Sequence, residues 1–545
     1  METRADVSGR VRNVVQALGG LPHLRWPPAV VLVPSLLVAA AMTLPLVYLA
    51  IRAGEAGWDA WALVASGRSA AILGRSLLLV AVVTGASVAV AVPLAWLTTR
   101  TALPFRRGWA IATALPLVIP SYVGGFLVIS ALGPHGILQQ ALSPLGVDRL
   151  PEVYGLGGAA LTLTLLSFPY VLLPVRAALS RLDPALEESA RSLGLSNWQV
   201  FRRVVVPQLA PSLAAGALLV ALYTLSDFGA VSLLRYETFT WAIYQQYESA
   251  LDRSIAAVLS LVLVALAAAL LVAEARARGR SAYHRAARGA ARPSALHPLG
   301  RLRAPALVFC GGTVVASLLA PIGVLLYWFV GGLGAVQPLA PLGTAAVNSL
   351  AVSLSASIVA VLCAMPVAIL TVRHAGPLAW IVERASFAGY ALPGLVVAIS
   401  LVFFGVRYGG LLYQSHALMV FGYLVLFFPM ALGAIRSSLL PVSPRLEEAA
   451  RSLGETPFKA FMKATLPLIR PGLLAAAGLV FLVTMKELPA TLILGPLGFT
   501  SLSTMVWSST VEALFAQAAL PALLLIAVSA APMTFLVLRE PRWLR

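Results

Sequence analysis

The chain has 545 residues, of which 59% are hydrophobic and 11% charged, with a formal net charge of +18. Soluble globular proteins carry about 25% charged residues, so this composition excludes a water-soluble architecture and places the chain in lipid. The basic excess needs no nucleic-acid partner if the bases fall on alternate loops, as the positive-inside rule requires.

A membrane-crossing helix needs about 20 apolar residues, because the hydrocarbon core is about 30 Å thick and each helical residue rises about 1.5 Å. Apolar runs of that size lie at 29–52, 73–98, 108–131, 156–179, 212–234, 254–274, 304–330, 346–371, 385–405, 415–435, 472–494 and 519–538. Their continuity fits helices, since the strands of a membrane barrel alternate over about ten residues. The sequence therefore predicts an all-α polytopic membrane protein with about twelve transmembrane helices.

With the N-terminus in the cytoplasm, 31 of the 39 Lys and Arg residues fall on cytoplasmic segments. Seven (Arg52, Arg68, Arg75, Arg149, Arg235, Arg253 and Arg407) fall outside, and Lys486 lies within a span. Both termini are thus expected in the cytoplasm, and the first apolar run, with no small-residue cleavage site after it, reads as an anchor. Cys310 and Cys363 lie in predicted spans and read as small buried hydrophobes. The six His residues show no metal-ligand spacing, so no stable metal site is expected.

An internal repeat organises the chain. Residues 182–230 align without a gap on 442–490, with 20 of 49 positions identical. The core reads PALEESARSLG at 184–194 and PRLEEAARSLG at 444–454, followed by Phe201/Phe461, Pro207/Pro467, Pro211/Pro471 and Thr224/Thr484. Upstream, an offset of 273 pairs Ser76 with Ser349, Pro93 with Pro366, Arg100 with Arg373 and Pro120 with Pro393. Two homologous six-helix halves are predicted, 1–275 and 304–545, joined by the basic cytoplasmic linker 276–303. Because each half has an even number of spans, both enter the membrane the same way. A pseudo-two-fold along the membrane normal and a central pathway between the halves follow.

Between the fourth and fifth spans of each half sits a polar segment patterned as a short helix. Asp183-Pro184 and Ser443-Pro444 supply an N-cap followed by proline at the first helical position, Glu187/Glu188 and Glu447/Glu448 suit the positive helix end, and Gly194/Gly454 suit the exit. Loop sequence normally drifts, so near-identity of two loops points to a docking surface.

This segment resembles the EAA signature of ATP-binding-cassette importer permeases: Glu-Ala-Ala, three residues, Gly, nine residues, Ile, one residue, Leu-Pro. The matching positions are Glu188, Ser189, Ala190, Gly194, Val204, Val206 and Pro207 in the first copy, and Glu448, Ala449, Ala450, Gly454, Ala464, Leu466 and Pro467 in the second. The resemblance implies the type I importer permease fold, with Glu187, Glu188, Ala190, Gly194 and Pro207, and their counterparts Glu447, Glu448, Ala450, Gly454 and Pro467, coupling to a separate ATPase. It further implies two copies of a cytoplasmic ATP-binding subunit, which use the ATP and Mg, and a periplasmic or lipid-anchored substrate-binding protein in a bacterial inner membrane. The chain itself is expected to bind no cofactor and to be no enzyme: its only lysines, Lys459, Lys463 and Lys486, are not preceded by glycine, so it has no P-loop.

A charge inside a span costs about 2.5–3.5 kcal/mol on insertion scales, and Asp227, Lys486 and Glu487 stand out for that reason. Asp227 and Glu487 occupy equivalent repeat positions one turn after Thr224 and Thr484. These five residues are the candidate lining of the pathway; the alternative is that Lys486 neutralises a neighbouring acid and the trio only orients helices. The SDFGA and TFTWAIYQQY segments, with MKELPATLIL and GFTSLSTMVW, resemble iron(III) importer permeases, with thiamine, polyamine and other small-solute permeases as alternatives. Outer loops near 132–155, 235–253 and 494–518 are the expected binding-protein surface, with Trp241 and Tyr244 either on it or anchoring the membrane interface. A twelve-helix secondary transporter shares the two-half layout but has no use for matched coupling loops.

Overall fold

The computed structural model describes residues 27–134, 136–147, 150–249, 254–277, 296–332, 339–374 and 376–538. Among these, the secondary structure is helical apart from a single backbone bridge between Thr101 and His297. Eleven helices are long and apolar enough to cross a membrane, and a twelfth, Gly394–Arg407, is apolar but has only 14 residues.

Four expected spans are broken, and the breaks recur at matching places in the two halves. The span expected at 108–131 is Arg106–Ala112, a 3₁₀ turn at Leu115–Val118 and then Ser121–Leu132. Its counterpart at 385–405 is Pro377–Ser386, a 3₁₀ turn at Ala388–Ala391 and then Gly394–Arg407. Proline is the cause in each case, since it offers no N–H and pushes the preceding residue out of the helical region. Ile119 and Leu392, before Pro120 and Pro393, take ψ of 121° and 122°. The spans expected at 212–234 and 472–494 start earlier and also break, running Val206–Ser226 then Gly229–Leu233, and Leu466–Met485 then Pro489–Leu494. Apolarity on both sides of a break hides it from a hydropathy reading.

Each half is built on its second, fourth and fifth spans, Gly67–Arg100, Leu156–Arg181 and Val206–Ser226 in the first and Leu339–Arg373, His416–Leu439 and Leu466–Met485 in the second. Small residues let these helices approach: Ala91, Ala95 and Ala159 are fully buried, and the hydroxyls of Ser87 and Ser167 meet at 3.2 Å. The first span of each half reaches across to the other. Ala29–Gly54 packs on Gly394–Arg407, where Ser400 donates to the Pro45 carbonyl at 2.6 Å and Arg407 pairs with Glu55 at 3.1 Å. Ala320–Gly332 packs correspondingly on Ser121–Leu132.

The second spans have 34 and 35 residues. At about 1.5 Å per residue each is roughly 50 Å long, well beyond the ~30 Å hydrocarbon core, and each ends in an arginine, Arg100 and Arg373. The linker expected at 276–303 falls largely on residues 278–295, outside the described residues, as do both termini. Its described end returns to the first half. The His297 N–H donates to the Arg100 carbonyl at 2.9 Å, the Ala102 N–H donates to the His297 carbonyl at 3.0 Å, and the His297 ring stacks on Trp96.

Gly216 reports on how closely the fifth span meets the fourth: a Cβ there would lie 2.7 Å from Val171 Cα. Gly216→Val is expected to destabilise the first half by about 1–3 kcal/mol through overpacking, read as a lower melting temperature of the detergent-purified protein. An unchanged melting temperature contradicts this packing.

Candidate functional site

Two short helices lie at matching places beneath the two halves. The first, Pro184–Ser192, starts from Asp183, whose Oδ1 accepts from the Ala185 N–H at 3.0 Å. The second, Arg445–Ser452, begins one residue later than expected, with Pro444 at the N-cap and Ser443 Oγ accepting from the Arg445 N–H at 3.4 Å. Both end alike. Gly194 and Gly454 sit at φ of +86° and +91°, where L side chains are strained. Gly194 N–H donates to Arg191 and Leu195 N–H to Ala190, with Gly454 to Arg451 and Glu455 to Ala450 repeating the pattern. This is the Schellman closure, which satisfies the last carbonyls of a helix and needs glycine at its left-handed position.

The two glutamates of each EE pair have different surroundings. Glu188 and Glu448 are exposed, whereas Glu187 is 5% exposed and turned inward. Glu187 pairs with Arg100 at 3.2 Å and with Arg191 at 3.2 Å. In the second half Glu447 pairs with Arg373 at 3.5 Å and accepts a hydrogen bond from Thr465. Ala190 is buried and Ala450 half-buried against the membrane domain. What remains outward is an apolar trio in each copy: Leu186, Leu193 and Trp198, and at the same repeat positions Leu446, Leu453 and Phe458. Pro207 and Pro467, expected in the coupling segment, are exposed residues at the start of the fifth spans. Directly before them each chain segment makes a π turn, Phe201–Val205 and Phe461–Thr465. A proline N cannot close the usual helical bond, and the widened turn absorbs the mismatch.

The arginine pair Arg100/Arg373 was visible as a repeat, but 86 intervening residues conceal that Arg100 meets Glu187. A second repeated arginine was missed altogether. Arg176, 2% exposed in the fourth span, donates to the Ala110 carbonyl at 2.8 Å, and its counterpart Arg436 pairs with Glu383, the residue equivalent to Ala110. Both fix the first segment of the broken third span.

Between the halves lies a cavity of about 260 Å³, lined from both sides. Asp227, Lys486 and Glu487 all line it, with Tyr122, Tyr170 and Tyr223. Thr224 and Thr484 are not among its lining residues; both are buried, and Thr484 lines a small separate pocket with Ser349 and Tyr423. The acids sit at the fifth-span breaks. Asp227 Oδ1 accepts from the Ala230 and Val231 N–H groups at 3.0 and 3.2 Å, and Glu487 Oε1 accepts from Ala490 at 3.2 Å. The main-chain carbonyls of the same two residues accept from Thr240 at 2.5 Å and from Ser503 at 3.2 Å. Tyr244, expected on the surface or at the interface, packs its ring 4.7 Å from that of the buried Phe228.

One compensation links the third and fifth spans. Ser121 and Asp227 line the cavity together. The equivalent of Ser121 is Gly394, where any Cβ would strike the Glu487 carboxylate. The longer acid thus occupies the space that the absent serine side chain leaves.

Arg100→Ala leaves the buried Glu187 with only the surface Arg191, and removal of one partner from a buried pair costs about 3–5 kcal/mol. Faster proteolysis between residues 183 and 206 is expected, with partial recovery in Arg100→Ala/Glu187→Leu; equal proteolysis in all three contradicts the pairing. Gly394→Ala is expected to lower stability by about 1–3 kcal/mol, whereas Gly394→Ser/Glu487→Asp, which copies the first half, is expected to recover the parent melting temperature.

Residues 23–280 and 356–545 match the family model described as "Binding-protein-dependent transport system inner membrane component". The chain is 35% identical over 516 residues to the Fe(3+)-transport system permease protein FbpB 2 of Haemophilus influenzae, covering 94% of this chain and 98% of that one. It is 32% identical over 197 residues to the molybdenum transport system permease protein ModB of Escherichia coli, covering 34% of this chain and 82% of the relative. With the sulfate transport system permease protein CysT of Escherichia coli the identity is 29% over 197 residues, 36% of this chain and 70% of the relative. Two of these relatives match about a third of the chain, whereas the first matches nearly all of it. The chain belongs to the family of inner-membrane components of binding-protein-dependent transport systems, as a two-repeat permease of an ATP-binding-cassette importer.

Proposed function

We propose that this permease carries iron(III) across the bacterial cytoplasmic membrane, driven by two copies of one ATPase subunit docked beneath the two halves. The observation that carries the docking is the repeated outward trio, Leu186/Leu193/Trp198 and Leu446/Leu453/Phe458. Exposed leucines and aromatics on short polar helices are unfavourable in water, and contiguous apolar surface of this kind marks an interaction site. Because the two trios match in kind and spacing, they suit two identical partner surfaces. The helices share one face of the membrane by topology, since four spans precede each within its half. The basic residues assign that face, and with it both termini, to the cytoplasm.

ATP-driven closure of the ATPase pair would draw the two docking helices together. Glu187–Arg100 and Glu447–Arg373 tie those helices to the second spans, so the halves rock about the central cavity and alternate its access. A periplasmic binding protein delivers the cargo at the outer face. Two carboxylates against one ammonium give the cavity a negative balance when all three are ionised, which favours a cation over an oxyanion, and hard Fe³⁺ prefers oxygen donors. The iron named for the Haemophilus relative agrees with that balance better than the sulfate or molybdenum of the half-length relatives.

The test is uptake into proteoliposomes holding the permease with its ATPase and binding protein. ATP-dependent accumulation of radiolabelled iron(III) is expected, without accumulation of sulfate or molybdate. Leu193→Asp and Leu453→Asp are each expected to weaken ATPase capture by roughly tenfold or more, about 1.4 kcal/mol, with the membrane domain still folded. Uptake driven by an ion gradient alone, or preference for an oxyanion, overturns the reading.

A further inference from the structure

Among the repeat positions that differ in the central cavity, one replaces an uncharged side chain with a cation. Position 486 is lysine where the first half has Ser226, and both residues line the cavity. The Lys486 ammonium donates to the Leu117 carbonyl at 2.7 Å, which joins the second half's fifth span to the first half's broken third span. That carbonyl is open to an outside donor for a reason written in the sequence. In a 3₁₀ turn the carbonyl of residue 117 is met by the N–H of residue 120, and residue 120 is proline, which has no N–H. Glu487, the neighbouring acid, is meanwhile engaged by the Ala490 N–H of its own half.

Charged donors make strong hydrogen bonds, and more so away from water. This one spans the two bodies whose relative movement an alternating-access cycle requires. The first half manages without a lysine at the equivalent place, so the fold itself does not call for one. We propose that Lys486 is an inter-half latch: its bond to Leu117 holds the arrangement of the cavity described above and restrains the permease until cargo delivery drives the halves apart. The proposal rests on the importer reading and adds to it a positioning residue that sets coupling.

The test measures ATP hydrolysis by the reconstituted permease and ATPase without binding protein, alongside iron(III) uptake with it. Lys486→Met is expected to raise the unstimulated rate by about tenfold and to lower the iron moved per ATP. Lys486→Arg, which keeps a charged donor on a long stem, is expected to stay near the parent; a rise as large as that of Lys486→Met overturns the latch. Pro120→Ala returns an N–H to the Leu117 carbonyl and competes with the ammonium. It is expected to raise the unstimulated rate too, which decides the question even if Lys486→Met fails to assemble. Lys486→Met/Glu487→Gln separates a latch from charge balance: a latch leaves the rate high, and a return to the parent rate overturns it. An unchanged rate in Pro120→Ala also overturns it. A parent complex with no ATP-driven uptake counts instead against the importer reading.

Discussion

Inside hydrocarbon a peptide group has no water to bond, so a helix that breaks there must have its freed N–H and C=O groups met by other protein atoms. This permease breaks four helices at membrane depth, two in each half, and the placement of its polar side chains follows from that requirement. Asp227 and Glu487 accept the N–H groups that open the second segment of each fifth span. Thr240 and Ser503 return a donor to the carbonyls left behind. Ser76 and Ser349 accept the N–H groups of Phe239 and Leu502 at 3.2 and 2.8 Å. The acids are therefore both structural and cavity-lining, and the choice between orienting helices and facing the cavity is not exclusive.

The end of each half that carries the short polar helix rests on a different interaction, an ion pair. The second spans are longer than the hydrocarbon core is thick, and each ends in an arginine that pairs with a glutamate of its short polar helix. In the first half that pair is almost fully buried, so screening by salt is weak. In the second half it is looser, and Thr465 adds a hydrogen bond where the first half has Val205. Each short helix is thus tied to the long span of its own half, by slightly different means.

Fusion of two halves in one chain lets each site diverge, and the differences come in compensating sets. Asp227 with Ser121 answers Glu487 with Gly394, so the longer acid takes the place of the missing side chain. Arg176 bonds a backbone carbonyl where Arg436 meets a carboxylate. The returning end of the inter-half segment pairs with Thr101 and stacks His297 on Trp96, which packs in turn on Phe201 beside Trp198. Only the first of the two short helices carries this extra support among the described residues.

Much of this was legible in the sequence. Hydropathy located the membrane spans, the repeat revealed two halves, and Asp183, Gly194 and Gly454 marked the helix ends because capping is local chemistry confined to a few neighbouring residues. The prolines at 120 and 393 were visible as a repeated pair, yet apolar flanks on both sides concealed the breaks they cause. Which glutamate of each EE pair points inward, the meeting of Arg100 with Glu187, the space at Gly394 and the bond from Lys486 to Leu117 were decided by the tertiary structure alone. Each joins residues far apart in the chain, and such contacts depend on how helices cross rather than on any spacing along the sequence.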